Sequence, residues 1–183
     1  MPHQILTSAK SAMLKEYKDH VEERLQQGIP PLPLNAEQVA DLVELLKSPP
    51  AGEEEFILDL IKNRTPAGVD PAAYVKAAFL TALAKGETSS PLIDKKLATE
   101  LLGTMLGGYN VESLIKLLKD EEVGAIAADG LSKTLLMFNA KHEVIELAAE
   151  NENAKRVVES WSNGEWFTSK SKLPEVIKAI VFR

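Results

Sequence analysis

The chain has 183 residues and a mass of 20.0 kDa, the size of one domain with a sizeable core. Its formal net charge of −6 at pH 7 disfavours a function that depends on binding many phosphates. It has no cysteine, which excludes disulfides, thiolate nucleophiles and cysteine-ligated iron–sulfur clusters within this chain. No apolar run reaches the ~18 residues of a membrane helix, and no secretory signal is evident near the start, so we expect a cytoplasmic protein.

Apolar residues recur with the spacing of amphipathic helices along most of the sequence. Gly28 has the position of a residue that ends the first helix. Asn35 with Gln38 predicts a capping box, and Asp70 before Pro71 predicts another helix start. The predicted helices lie near residues 11–27, 36–47, 53–63, 71–85, 94–102, 111–119, 123–137, 141–150 and 153–163.

These elements predict an all-α fold, because no apolar and polar alternation of strand type runs for six residues. Caps at Asn35, Asp70 and Asn110 are 35 and 40 residues apart, a period typical of helix-pair solenoids. We therefore predict an irregular HEAT-like stack of antiparallel helix pairs, an α-α superhelix. The residues predicted to be buried on the inward stripes are Leu42, Leu60, Phe79, Leu102, Leu114, Leu131 and Trp161.

The acidic and histidine residues give no sign of a catalytic or metal site. The acidic runs 53–55 and 120–122 could offer carboxylates to a divalent cation, but placement at the start of a helix favours a capping role. His3, His20 and His142 lack the spacing of metal ligands or of a catalytic triad, so we expect each at the surface. No catalytic residue, metal site or cofactor site is predicted.

The glycine-rich segment 103–110 (GTMLGGYN) precedes a helix, as phosphate-binding loops do. It lacks both the lysine of a P-loop and a preceding strand, so a tight turn that presents Tyr109 is the better interpretation. A partner-contacting Tyr109 and a tyrosine that plugs the local core both remain open.

The stretch 155–183 combines six basic and three acidic residues with Trp161, Trp166 and Phe167. Aromatic rings among cations are typical of single-stranded RNA binding, although tryptophans at helix ends more often plug a core. Taking this stretch with the glycine-rich turn, we predict partner contacts at two turns that combine glycine with aromatic residues. The predicted contact residues are Tyr109, Asn110, Trp166 and Phe167.

Several long strings occur in a familiar order. They are PPAGEEEFILDL at 49–60, NRTPAGVDPAAYVKAAFL at 63–80, AKGETSSPL at 84–92, LLGTMLGGYN at 101–110, LSKTLLMF at 131–138 and SWSNGEWF at 160–167. Together they resemble the N-terminal HEAT-like domain of bacterial aconitase B, the aconitate hydratase 2/2-methylisocitrate dehydratase family of the TCA cycle. The resemblance runs from about Met13 to Phe182.

This resemblance implies a helical module that precedes a swivelling domain and three domains that hold a [4Fe–4S] cluster. In the family, the module packs on the catalytic body, helps to form the route for substrate, and is implicated in protein contacts, dimerisation and binding of mRNA. It implies an N-terminal extension at 1–12, the HEAT-like domain at 13–170, and a segment at 171–183 that leads toward a swivelling domain absent from this chain. No catalytic residue of the family has a counterpart here, so we expect no enzyme activity and no cofactor in this chain.

The leading hypothesis is a non-catalytic protein-interaction module, whose partner is the aconitase catalytic domains, another protein or a second copy of the chain. The alternatives are an RNA-binding regulator and a stand-alone homologue of the domain with a different partner. The sequence is compatible both with a fragment that ends at a domain boundary and with a separate gene product.

Overall fold

The structure, a computed structural model, describes residues 2–134 and 140–164, with side chains from residue 12 onward. In these ranges the chain forms helices and no strand, which confirms the all-α prediction. The helices are α1 (Pro2–Gln26), α2 (Ala36–Lys47), α3 (Glu54–Asn63), α4 (Pro71–Ala84), α5 (Lys95–Gly103), α6 (Val111–Leu117), α7 (Gly124–Ser132), α8 (Ala140–Leu147) and α9 (Glu152–Ser162). None of the helices described is long and apolar enough to cross a membrane.

Local capping chemistry places two of the helix starts where the sequence predicts them. The side chain of Asn35 accepts the backbone N–H of Gln38 at 2.9 Å, and the side chain of Gln38 accepts the backbone N–H of Asn35 at 3.0 Å. Asp70 accepts the backbone N–H of Ala72 at 2.8 Å, with Pro71 in the first turn of α4. Both predicted starts are therefore confirmed.

Some predicted boundaries differ from the observed ones. Helix α1 begins at Pro2 rather than near residue 11, so the predicted extension at 1–12 forms the first turns of the helix, except for Met1, which lies outside the described residues. Proline fits there because the first N–H groups of a helix have no partner within it. Helix α6 ends at Leu117 rather than near residue 119, and the backbone N–H of Leu118 donates to the carbonyl of Ile115.

The helices pack in a regular succession. Helices α2, α4, α5, α7 and α9 lie one against the next in this order. Helices α1 and α3 pack on α2, while α6 packs on α7 and α8 packs on α9. Such nearest-neighbour packing is what a stack of helix pairs requires, and the HEAT-like geometry itself stays a prediction.

The predicted core positions are buried, with one exception. Leu42, Leu102, Leu114 and Leu131 are fully buried, as are the other predicted core residues to within a few per cent. Trp161 is only half-buried against the core, so its predicted burial is wrong. The cause is its polar atom, because the indole Nε1–H donates to the carbonyl of Leu131 at 3.1 Å from the edge of the core.

Candidate protein-interaction surface

Two glycine-containing loops meet at the start of α4 and the start of α6. Gly68 and Gly107 both have φ in the left-handed region, at +82° and +96°. A Cβ on Gly107 would overlap the backbone carbonyl of Gly68, so the two backbones lie in direct contact. Only glycine allows this approach in this conformation, and it joins two loops that are far apart in the sequence.

Tyr109 joins the same two loops through its side chain. Its hydroxyl donates to the carbonyl of Val69 at 3.1 Å, and its ring meets the ring of Tyr74 edge to face, with centroids 5.4 Å apart. The side chain is nevertheless 37% exposed. Tyr109 is thus held in one orientation while part of its ring remains accessible to a partner.

Four large apolar side chains are exposed at this junction, which we call the interaction edge. They are Val69 at 73%, Tyr74 at 60%, Leu106 at 68% and Tyr109 at 37% exposure. Grouped apolar residues at the surface of a folded chain are typical of contact sites, whereas single ones need no explanation. Aromatic anchors held in place beforehand are the residues that contribute most to binding.

Asn110 supports the edge from inside. It is 1% exposed, and its side-chain amide donates to the carbonyls of Leu102 at 2.6 Å and Met105 at 3.2 Å. The predicted side-chain cap on α6 is wrong, because the backbone of Asn110 is helical and its side chain accepts no N–H of that helix. Asn110 positions the loop that carries Tyr109 and has no surface to offer a partner. Of the other predicted contact residues, Trp166 and Phe167 lie outside the described residues.

The sequence interpretation missed the other members of the edge, Val69, Tyr74 and Leu106. Val69 follows Gly68 in the turn before Asp70, and Tyr74 lies on a largely apolar helix in which Lys76 is the only charged residue. An apolar helix that lacks a polar face is itself a signal that both its sides are covered. The contact between the two loops, however, depends on the tertiary fold.

An apolar groove of about 350 Å³ lies between α2 and α4 beside the edge. Its wall on α2 is formed by Ala40, Val43, Glu44 and Lys47. Its wall on α4 is formed by Tyr74, Val75, Ala78, Phe79 and Ala82, with Thr88 at one end. Because Tyr74 belongs to both features, the groove and the interaction edge form one continuous surface.

The charge of α4 lies on its inner side. Lys76 is the only charged residue of the helix and is 6% exposed. Its Nζ donates to the carbonyl of Lys62 at 3.4 Å, at the C-terminal end of α3, where a cation suits the helix dipole. Burial lowers the pKa of Lys76 to about 8.

Two of the acidic residues that the sequence singles out, Glu53 and Asp120, have clear structural partners. Glu53 forms an ion pair with Lys18 at 2.6 Å and makes no side-chain capping bond. Asp120 accepts the backbone N–H groups of Glu122 and Val123, and its hydrogen bond with Lys95 at 2.7 Å lowers its pKa. In the part of the chain that the structure describes, no cluster of His, Asp and Glu residues could hold a metal ion.

Two of the three histidines can be compared with the surface prediction. His142 is exposed, as predicted. His20 is half-buried and accepts the backbone N–H of Leu32 at 3.0 Å, so a purely solvated role is wrong for it. Its imidazole, together with the hydroxyl of Tyr17, holds the proline-rich segment after α1 against that helix. The side chain of His3 lies outside the described residues.

The basic C-terminal stretch is described only in part. Lys155 lies 3.8 Å from Glu152, and Arg156 lies 3.0 Å from Asp129. Arg156 also donates to the carbonyl of Ala125 at 2.6 Å. These two cations have acidic partners within the chain, and the RNA-binding alternative, which also involves residues beyond those described, stays a prediction.

Comparison with known proteins places this chain in a family. Residues 16–167 match the family model of the aconitate B N-terminal domain. The aconitate hydratase B of Pseudomonas aeruginosa is 60% identical over 172 residues, which cover 93% of this chain and 20% of that protein. Those of Escherichia coli and Helicobacter pylori are 57% and 45% identical with the same coverage. The chain spans about one fifth of the length of these curated relatives. It belongs to the aconitate B N-terminal domain family.

Proposed function

We propose that this chain is a non-catalytic protein-interaction module that packs against the remaining polypeptide of an aconitate hydratase B. The observation that carries the proposal is the interaction edge, where Val69, Tyr74, Leu106 and Tyr109 expose apolar surface on loops that are fixed by backbone contact. Membership of the family supports this choice of partner, because the curated relatives contain the matched region within a chain about five times as long.

The edge is suited to binding because its geometry is set when the chain folds. The Gly68–Gly107 contact, the hydrogen bond from Tyr109 to Val69 and the buried amide of Asn110 all restrict the loops in the free chain. A partner therefore does not have to order these residues, which removes part of the entropic cost of association.

The module contributes to catalysis only by position. Citrate–isocitrate interconversion belongs to the cluster-bearing domains of the family enzyme, and this chain has no cysteine for ligating a cluster. A helical module held against those domains shapes the route by which substrate reaches them. This role needs a stable contact and no reactive side chain.

The test measures binding between this chain and the remaining four fifths of the P. aeruginosa relative, produced separately. We expect Tyr109→Ala to weaken binding by about 1 kcal/mol, which is roughly a fivefold rise in Kd, because an aromatic anchor is lost. Isothermal titration calorimetry gives the Kd, and thermal melting of the free variant reports its stability.

The matched control is Leu25→Ala, which truncates another strongly exposed apolar side chain, at the end of α1 and outside the edge. We expect its Kd to equal that of the parent. Loss of binding in both variants, or a large fall in melting temperature for Tyr109→Ala with unchanged Kd, would contradict the proposal. The second result would assign Tyr109 to the core.

A further inference from the structure

Helix α4 has the composition of a helix that is covered on both sides. Its single charged residue, Lys76, points into the protein, while Tyr74 and Ala78 are exposed to solvent and carry no charge. Surface helices normally show the opposite arrangement, with charges outward and apolar residues inward. The exposed side of α4 therefore has the residue types of an interface.

The groove against α2 extends this apolar side and adds a neutral rim. Glu44 and Lys47 border it and form an ion pair at 2.7 Å. The alanines at 40, 78 and 82 leave room for another backbone to approach closely. A neutral rim around an apolar floor fits an apolar helix face and offers little to a charged peptide or a nucleic acid.

From these features, we infer that the α2–α4 groove receives an apolar-faced helix of the remaining aconitate hydratase B polypeptide. The inference rests on the proposed function and extends the contact from the interaction edge into the groove, with Tyr74 as the residue that both share. In helix-in-groove recognition, an amphipathic helix lays its apolar face into an apolar groove, and the two walls here are lined mainly by apolar residues.

The extent of the surface favours this occupant over a separate protein. Stable interfaces between independent proteins use roughly 20–30 residues per side, and the groove and edge together comprise fewer. In the longer relatives, the matched region and the rest of the polypeptide are covalently linked. Such a link gives the partner an effective concentration of ~1 mM, which compensates for a small contact area. A contact that is weak between two separate polypeptides is then sufficient.

The absence of cysteine in this chain allows a direct test by thiol labelling. Single variants Ala78→Cys in the groove, Leu106→Cys at the edge and Ala125→Cys on α7 each replace an exposed residue. Each is prepared in the free chain and in a fusion in which this chain replaces the matched fifth of the P. aeruginosa enzyme. Labelling by maleimide is followed at each peptide by mass spectrometry, in fusions that retain aconitate hydratase activity.

We expect the labelling rate at position 78 to fall about tenfold in the fusion, because a contact whose intrinsic Kd is about ten times lower than the effective concentration of ~1 mM leaves about a tenth of the molecules undocked. The rate at the control position 125 should stay within about twofold of the free chain. Ala40→Cys, on the opposite wall of the groove, gives an independent measurement if Ala78→Cys disturbs α4.

The outcomes separate this inference from the proposed function. Protection at 106 without protection at 78 and 40 overturns the groove assignment and leaves the proposed function in place. No protection at any of these positions overturns both. Equal protection at 125 overturns the assignment to this face. Protection that already grows with concentration in the free chain overturns the named occupant in favour of a second copy.

Discussion

Replacement of Lys76 by methionine should stabilise the protein at neutral pH. Lys76 as a whole is 6% exposed, and the hydrogen bond from its amine to the carbonyl of Lys62 is long, at 3.4 Å. Desolvation lowers its pKa from 10.5 to about 8. Because each pKa unit corresponds to about 1.4 kcal/mol, burial of the charged amine costs about 3 kcal/mol at pH 7.

The pH dependence follows from the two pKa values. Between about 8 and 10.5 the unfolded chain binds more protons at Lys76 than the folded chain, so the free energy of unfolding rises with pH in this window. The free-energy cost of burying the charged amine is complete below about pH 8, falls through this window and is lost above pH 10.5. Methionine keeps the length of the side chain but loses the bond to the carbonyl, so we expect a net gain of about 2 kcal/mol at pH 7.

The assay is urea unfolding of Lys76→Met and the parent at pH 7 and at pH 10.5, followed by circular dichroism. The gain at pH 7 should vanish at pH 10.5, where the parent amine is neutral in the folded chain and half-protonated in the unfolded chain, so that little of the cost remains. Lys96→Met, at an exposed lysine of α5, serves as the control and should change the free energy of unfolding little at either pH. A less stable Lys76→Met variant at pH 7, or an equal gain at both pH values, would refute the reasoning.

Two further predictions concern the core and the chemistry. Leu131→Ala should lower the free energy of unfolding by ~2–5 kcal/mol, since the fully buried side chain leaves a cavity, and a variant as stable as the parent in urea unfolding would contradict it. The isolated chain should not interconvert citrate and isocitrate after iron–sulfur reconstitution, because it has no cysteine to ligate a cluster, and turnover above a mock preparation would overturn this.

Helix starts were predictable from the sequence where they depend on neighbouring residues. The caps at Asn35 and Asp70 involve partners two or three residues away, and this spacing is visible in the sequence. Helical periodicity likewise identified Leu42 and Leu131 as core residues. These features are local or periodic, so no knowledge of the tertiary fold was needed.

The candidate site could be predicted only in part, because it depends on contacts between distant segments. Tyr109 was found from the glycine-rich turn, whereas its partners Val69 and Tyr74 lie 40 and 35 residues earlier. Asn110 has the sequence position of a cap, yet its backbone is helical rather than extended and its side-chain oxygen accepts no N–H of α6, while its amide donates to the carbonyl of Leu102 in α5. The packing of α5 against α6 brings the carbonyl of Leu102 within reach of this amide.

The cost of burying Lys76 and the apolar outer face of α4 have a common explanation. A helix at a solvent boundary gains free energy by turning its charges outward, and α4 does the reverse, with Lys76 inside and Ala78 outside. This arrangement is explained if the outer face of α4 is also buried, so that the helix lies between the core and a docked helix. An outward charge on α4 would then be the one that is buried without a partner, whereas Lys76 at least reaches the carbonyl end of α3. If the groove receives a helix as we infer, the stability of the free chain and its suitability for docking are opposed in α4, and the position of Lys76 suits the docked state.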